Sequence, residues 1–580
     1  ACSPEPEDSA EDGLDPAARS ALAQHSEAAV QNPGQPQAHY NLGVALARAG
    51  RHEEAEASYR RALELEPEYA LSYQGLGQLA FRRGANDVAA SYFRRAVAVD
   101  STLAVAHNNL GHIHHRKGDV EVAVRHYERA VRHEPGHAQY LLNLGLAYRA
   151  LGRFDRSLAM VERAASLDST LQNLDAILAS LYLAGQLLPE ALSSYRDLVD
   201  RGGGAGAHMG LGDVYAMLSD LDKSAAQYRR VLELDPDNPE VHHKLATVLD
   251  FQGNLPEAIR LLEKAVSLDE TSVPALQSLA LLYGKESRTE DAERALSKAR
   301  ALDGDNVDTL LLLGELYTRQ GRYDEAEPAL VAARDREPSR GECWRLLGLL
   351  YNDWGRGPEA ESALRKAVEL DPAAAPTHFN LAAALRSLGK GAGADSSMRR
   401  FEMLRRISEE VAERKGTLHQ TPGDIQKRLT LARQHLMLGQ REQARVQYQA
   451  VLAFDPSRAE ARLALVRMYV EQGRTPTALR LCMEGIERYP DHPDLDRLYF
   501  AAGQVYFTAG RTSEAEAAWK RALELDPGYD EVHFVLGALY ESTGREDLAG
   551  DAYRSFLQRW DSDSPKAAAA RKGLERLASR

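Results

Sequence analysis

The stretch LGVALARAGRHEEAEASYRRALELEPEYA, from Leu42 to Ala70, decides the fold of this chain. Its apolar residues recur at helical spacing in two runs that a glycine-containing turn separates, which predicts two short amphipathic helices. The stretch from Leu536 to Ser564, LGALYESTGREDLAGDAYRSFLQRWDSDS, carries the same small and large residues at the same offsets. One helix pair cannot bury its apolar face alone, so the recurrence predicts a stack of such pairs.

The repeat occurs fifteen times, and most steps between repeats are 34 residues long. Position 8 of the repeat is Gly or Ala except at Val466, and position 20 is always Ala or Ser. We expect these positions to face each other where the paired helices cross, because larger side chains would overpack the contact by about 1–3 kcal/mol. Proline at position 32 ends the second helix in eight repeats. The repeats begin at residues 36, 70, 104, 138, 172, 205, 239, 273, 307, 341, 375, 425, 459, 496 and 530.

This period and this pattern of residues resemble the tetratricopeptide repeat (TPR) family. The resemblance covers nearly everything from Gln35 to Trp560. It implies an all-α fold, a right-handed α-solenoid (superhelix) of stacked helix-turn-helix repeats.

The chain is expected to divide into six segments. Between repeats 11 and 12 the step is 50 residues instead of 34, and an apolar stripe keeps helical spacing through the inserted stretch. The insertion predicts a prolonged helix and a loop, which either form a hinge or simply continue the stack. The segments are an acidic, Pro-containing tail (1–13), an N-terminal half-repeat cap (14–35), repeats 1–11 (36–401), a helix extension and linker (402–424), repeats 12–15 (425–563) and a C-terminal capping helix (564–580).

Composition excludes several classes of protein. The 580 residues are 44% hydrophobic and 27% charged, with 71 basic and 85 acidic residues and a net charge of −14. A chain this acidic is a poor general polyanion binder, so nucleic acid is not expected as a partner. No apolar run reaches the roughly 18 residues that a membrane-spanning helix needs.

The N-terminus carries a second resemblance. The sequence CSPEPEDSAEDG, after Ala1, resembles the junction at which a bacterial lipoprotein signal peptide is cleaved. That resemblance implies a lipid acceptor at Cys2 and an extracytoplasmic location at a bacterial membrane. A mature lipoprotein would begin at the cysteine itself, so the alternative is a trimmed boundary beside a free thiol, in a cytoplasmic protein. Cys343 and Cys482 lie in helical patterns and are expected to be small buried residues.

Candidate partner-binding residues follow from the family resemblance, because the first helix of each repeat lines the concave face through positions 2, 5, 6, 9, 12 and 13. Arginines at positions 12 and 13 and asparagines at position 6 are expected to hold an extended or acidic peptide, since Arg pairs with carboxylates and Asn amides bond a peptide backbone. The alternative is that polar residues line any solvated wall. From the fifth repeat onward the wall becomes apolar, and either a partner or the superhelix itself would cover it. The candidates are Asn41, Arg48, Arg82, Asn109, His112, Arg116, Asn143 and Arg149, followed by the apolar Leu183, Met209, Met217 and Phe251, with Leu281, Leu311, Leu346 and Leu349 further along the same wall.

Histidines crowd the third repeat, where His112 and His115 have a spacing that can share a metal ion. No acidic residue or cysteine at a suitable offset completes such a set, so core or surface histidines are expected and no metal site is predicted. No nucleophile, base and orienting acid share a recognisable frame, which predicts a protein that is not an enzyme and needs no cofactor. The leading hypothesis is a scaffold that binds a protein or peptide partner along its concave groove. The alternative is a structural subunit that self-associates into a surface filament or ring.

Overall fold

A computed structural model describes residues 16–559 and 564–578 of the chain. Within these residues it contains thirty-two α-helices and no strand. The acidic tail and the lipidation candidate Cys2 lie outside the described residues. The first sixteen helices are α1 (Pro16–Gln31), α2 (Pro36–Arg48), α3 (His52–Leu65), α4 (Ala70–Arg82), α5 (Asn86–Val99), α6 (Ala104–Arg116), α7 (Val120–His133), α8 (Ala138–Ala150), α9 (Phe154–Leu167), α10 (Leu174–Ala184), α11 (Leu188–Asp200), α12 (Ala205–Met217), α13 (Leu221–Leu234), α14 (Pro239–Phe251), α15 (Leu255–Leu268) and α16 (Val273–Lys285). The others are α17 (Thr289–Leu302), α18 (Val307–Arg319), α19 (Tyr323–Arg336), α20 (Gly341–Asp353), α21 (Gly357–Leu370), α22 (Ala375–Ser387), α23 (Gly391–Leu418), α24 (Ile425–Met437), α25 (Arg441–Phe454), α26 (Ala459–Glu471), α27 (Thr475–Arg488), α28 (Leu495–Thr508), α29 (Thr512–Leu525), α30 (Asp530–Ser542), α31 (Glu546–Arg559) and α32 (Pro565–Ala578).

The chain forms two compact units, Ala1–Leu181 and Tyr182–Arg580, here called unit 1 and unit 2. In both, the two helices of a repeat pack on each other, as α2 does on α3 and α28 on α29. This confirms the all-α solenoid of paired helices. The boundary between the units lies within α10 and not in the inserted stretch at 402–424, where α23 continues unbroken to Leu418. A hinge at that stretch, like the other segment boundaries, stays a prediction.

The close crossing of paired helices explains the small residues of the repeat. In two repeats the serine at position 20 donates its hydroxyl to the carbonyl at position 8, from Ser157 to Gly145 at 2.7 Å and from Ser224 to Gly212 at 2.9 Å. The predicted meeting of positions 8 and 20 is therefore confirmed. The side chain at position 24 packs directly against position 8. In the repeat that begins at residue 307, a Cβ built on Gly314 at position 8 would lie 2.3 Å from Cδ2 of Leu330 at position 24.

A second recurring contact joins neighbouring repeats. Position 4 carries a hydrogen-bond donor in many repeats, and that donor reaches the backbone carbonyl six residues earlier, in the turn before the repeat; in six of the eight cases this is position 32 of the preceding repeat. The carbonyl lies in the turn between repeats, where the helix has ended and no backbone N–H of the helix pairs with it. The position-4 side chain supplies the missing hydrogen-bond donor. The bonds run from His39 to Pro33, Tyr73 to Pro67, His107 to Ser101, His242 to Pro236, Trp344 to Pro338, His378 to Pro372, Arg428 to Pro422 and Arg462 to Pro456. Most of the histidines at position 4 are thus structural donors.

The turn inside each repeat places one residue, at position 15, in the left-handed region. In most repeats this residue is glycine, as at Gly50, where φ is 78°. Gln186, Ser219 and Ser287 adopt the same conformation with φ of 53°, 56° and 60°. A residue with a side chain pays a steric cost in this region, so these three turns are strained relative to the glycine turns.

Unit 2 also contains a contact between repeats that are far apart in sequence, in which α11 packs against α25. Arg428 is fully buried, and it donates to the carbonyl of Leu218 and, at 3.0 Å, to Oε1 of Gln447. Arg445, which is 4% exposed, donates to the side chain of Gln186. Two of the strained turns therefore lie where the solenoid packs on itself. We call this contact the α11–α25 closure.

An ion pair borders the closure. Glu190 on α11 lies 3.4 Å from Arg480 on α27, and a cavity of about 570 Å³ lies beside the pair. Burial raises the pKa of Glu190, while Arg480 opposes that shift. The side chains that line the cavity carry charges of both signs.

Candidate functional site

The first helices of the four complete repeats in unit 1 share a composition that α16, α22 and α24 of unit 2 also have. Helices α2, α4, α6 and α8 contain no Asp or Glu at all. Their partners α3, α5, α7 and α9 each carry one or two acidic residues within the first turn. Helix N-termini favour acidic side chains. Helix formation therefore does not explain why the first helices lack acidic residues while the second helices of the same repeats have them. We call the face formed by α2, α4, α6 and α8 the basic wall.

Arginines occupy the last turn of these helices. Arg48, Arg82 and Arg116 are exposed, and in the part of the chain that the structure describes none of them has an ion pair or a hydrogen bond. Neighbouring cations behave differently, since Arg83 pairs with Glu56 at 2.7 Å and Lys117 pairs with Asp87. Because the helices α2, α4 and α6 contact one another in order, the three arginines form a row along one end of the wall. In this region the charges at position 13 are thus available to an anionic ligand.

Arg149 and two of the predicted asparagines have hydrogen-bond partners, unlike the three arginines of the row, which have none among the described residues. Arg149 donates to Oγ of Ser180 at 3.3 Å. Asn41 accepts from Gln37 at 3.0 Å, and Asn143 donates to Asn108 at 2.8 Å. The predicted asparagine row is thus partly committed to contacts within the wall, and a peptide backbone would have to share these amides. Asn109 is half-buried.

The histidines of the third repeat pack together. His107 and His126 approach to 3.2 Å between their Nδ1 atoms, and the rings of His114 and His126 stack. Burial, with positive neighbours, lowers the pKa of His126 to about 4. His112 meets the ring of Phe81 edge-on, and burial lowers its pKa as well. His126 is therefore neutral near pH 7.

The predicted apolar wall of unit 2 holds only in part. Phe251 is 71% exposed, whereas Leu183, Met209 and Met217 are half-buried. Leu311 and Leu346 were expected on the same wall, and that was wrong: both are buried in the core between repeats, because their helices turn these positions toward the next repeat. Leu281 is 51% exposed and borders a cavity of about 230 Å³ between α16 and α18.

Other expectations concern the cysteines, metals and membranes. Cys343 and Cys482 are free and buried, as predicted, and burial raises the pKa of the Cys482 thiol to about 12. Among the described residues no three His, Cys, Asp or Glu side chains are placed to hold a metal ion. Over the same residues, no helix is both long and apolar enough to cross a membrane.

Comparison with known families decides the assignment. Models of the tetratricopeptide repeat match residues 36–69, 53–104, 101–170, 239–272, 285–350, 342–373, 457–528 and 500–564, and a model described as TPR repeat matches residues 212–249. This chain belongs to the tetratricopeptide repeat family.

Several solved structures are similar to this TPR chain. MamA is 31% identical over 28% of this chain and 94% of its own, with a TM-score of 0.26. Yeast Tom70 is 17% identical over 80% of this chain and 98% of its own, with a TM-score of 0.29. The structure of Naa15/Naa10 bound to HypK-THB matches at 16% identity over 97% of this chain and 95% of the matched chain, with a TM-score of 0.28. No curated protein matches.

The TPR framework accounts for the core but not for the basic wall. The arginines at position 13 are visible in the sequence, whereas the absence of acids becomes a feature only when the helix bounds group α2, α4, α6 and α8 together. Counting carboxylates separately over the first and the second helices of the repeats would have found the wall. The roles of the individual wall residues stay predictions.

Proposed function

We propose that this protein is a non-enzymatic interaction scaffold whose basic wall binds a protein or peptide segment. The observation that carries the proposal is the row of exposed, unpaired Arg48, Arg82 and Arg116 on helices that contain no carboxylate. TPR solenoids offer extended concave surfaces for binding, and an extended acidic segment would contact successive arginines, one repeat at a time.

The charge pattern supports an anionic ligand in particular. An arginine in the last turn stabilises its own helix through the helix dipole by about 0.3–1 kcal/mol, which accounts for one cation per helix. It does not account for missing acids, which would also stabilise the first turn. A ligand of negative charge gives a reason for both features, because a carboxylate on the wall would repel it and compete for the arginines.

Unit 2 offers a different kind of surface. Phe251 and Leu281 are exposed on first helices of neighbouring repeats, and a cavity of about 230 Å³ lies beside Leu281. Apolar residues at such positions favour a partner that buries apolar side chains there. The proposed scaffold therefore binds through charge in unit 1 and, as a separate surface, through apolar burial in unit 2.

A peptide-binding measurement tests the basic wall. The probe is a fluorescein-labelled peptide of alternating Glu and Ser, with a Gln–Ser peptide as its uncharged match, and binding is followed by fluorescence anisotropy. The triple variant Arg48→Gln, Arg82→Gln, Arg116→Gln is expected to lose binding of the acidic probe. The double variant Arg83→Gln, Lys117→Gln is the matched control, because it removes cations from the same helix ends that already have partners. Equal binding by the triple variant and the wild type would refute the proposal.

A further inference from the structure

The basic wall has a ligand within its own chain. Residues 1–15 contain six acidic residues and no basic one: Glu5, Glu7, Asp8, Glu11, Asp12 and Asp15. They precede α1, which begins at Pro16. We propose that this acidic tail binds intramolecularly to the row formed by Arg48, Arg82 and Arg116 and thereby competes with partner segments; the inference rests on the proposed function of the wall.

The position of α1 brings the tail to the correct end of the wall. Leu22, near the start of α1, shares one core cluster with Ala45 and Leu46, near the end of α2. Helix α1 therefore runs antiparallel to α2, and its first residue lies near the helix end that carries Arg48. Pro16 precedes Leu22 by six residues, which is about 9 Å along the helix axis.

The tail is also long enough. Neighbouring helices pack about 8–10 Å apart, so the row from Arg48 to Arg116 extends over about 20 Å. The eleven residues from Glu5 to Asp15 span up to about 36 Å when extended. The acidic residues can therefore pass all three arginines without any change in the described helices.

Charge favours this wall over the other helices of unit 1. The second helices α3, α5, α7 and α9 all carry acidic residues in their first turns, which weaken their attraction for the tail. Cations next to the row already have partners, as Arg83 has Glu56 and Lys117 has Asp87. Arg125, Arg129 and Arg132 on α7 are also exposed and have no ion pair among the described residues, but α7 carries carboxylates of its own, whereas the helices of the row carry none.

Tethering makes a weak contact effective. A segment joined directly to its site has an effective concentration of about a millimolar. A tail that is bound for about two thirds to nine tenths of the time weakens a competing ligand by about threefold to tenfold. That range sets the effect to be measured.

The test uses the full chain and a fluorescein-labelled peptide with the sequence of residues 3–15. A tail-neutral variant carries Glu5→Gln, Glu7→Gln, Asp8→Asn, Glu11→Gln, Asp12→Asn and Asp15→Asn. At about 0.01 M salt this variant is expected to bind the peptide about threefold to tenfold more tightly than the wild type. The difference is expected to vanish at about 1 M salt, where the Debye length is about 3 Å. In the tail-neutral background, Arg48→Gln, Arg82→Gln, Arg116→Gln is expected to abolish binding, and Arg83→Gln, Lys117→Gln to leave it unchanged.

The outcomes separate this inference from the proposed function. Equal peptide affinity of wild type and tail-neutral variant at low salt overturns the intramolecular tail, even when the arginine variants still lose binding and the wall is thereby supported. Undiminished binding by the arginine variants overturns both. A dimer mass in light scattering that the tail-neutral variant lacks would place the tail on a second copy, which also overturns the intramolecular proposal.

Discussion

Replacing Gly314 with alanine tests how closely the paired helices cross. The new Cβ would lie 2.3 Å from Cδ2 and 2.4 Å from Cγ of Leu330, whereas carbon atoms pack at about 3.5–4.0 Å. Leu330 is fully buried, and Cγ is its branch point, so the side chain cannot simply swing its tip away. Either Leu330 leaves its rotamer or α18 and α19 move apart. We expect an overpacking cost of about 1–3 kcal/mol.

A second glycine provides the matched control. Gly284 lies in α16, and a Cβ there would meet no atom within 4 Å. Alanine gains about 1 kcal/mol of helix propensity over glycine in a helix interior, and Gly284, the last residue but one of α16, gains less. The difference in stability between the Gly314→Ala and Gly284→Ala variants is therefore a lower bound on the overpacking.

The assay must report locally, because a repeat array need not unfold in one step. Hydrogen exchange of peptides from α18 and α19, together with the urea midpoint, measures the change where it occurs. Adding Leu330→Ala to Gly314→Ala is expected to cost less than the sum of the two single changes, since the clash is then absent. A Gly314→Ala variant as stable as Gly284→Ala would refute the close crossing.

Three further predictions concern a turn, a histidine and a thiol. Ser287→Gly is expected to stabilise the chain by up to about 1 kcal/mol, because Ser287 holds φ at 60°; an unchanged urea midpoint would contradict this. The folded state holds the pKa of His126 at about 4, below its unfolded value of about 6.5. The unfolded chain therefore binds a proton that the folded chain does not, and stability should fall as the pH drops from about 6.5 to about 4; urea titrations should show a smaller fall for His126→Gln. Burial raises the pKa of Cys482 to about 12, so a thiol reagent at pH 8 should react with Cys482 only on unfolding; rapid reaction of the native Cys2→Ser, Cys343→Ser variant would contradict this.

The period of the sequence predicts the helix pairs well, because the residues that set it are those of the crossing. Small residues at positions 8 and 20 and prolines at position 32 depend only on contacts within one repeat or between neighbours, which recur every 34 residues. The same logic fails for Leu311 and Leu346. Their positions are half-buried in most repeats, and the local packing of α18 and α20 buries them completely.

The α11–α25 closure could not be predicted, for a different reason. It joins Gln186 to Arg445 and Leu218 to Arg428, over sequence separations of 259 and 210 residues. The 34-residue period reflects contacts within a repeat and between neighbouring repeats, so it does not predict contacts at such separations. Arg428 and Arg462 stand at position 4, where the other repeats have His, Tyr, Leu, Trp or Asp. Their burial needed the structure.

The closure also determines how unit 2 would transmit a mechanical force. A pull applied before α11 and after α25 passes directly through their contact, and the 240 residues between Asp200 and Arg441 bear no tension while it holds. When the contact opens, that whole span enters the line of force at once, with a contour of about 80 nm if it unfolds at about 3.3–3.6 Å per residue. Unit 2 should therefore resist extension at forces too small to open the contact, and should lengthen abruptly at forces that open it.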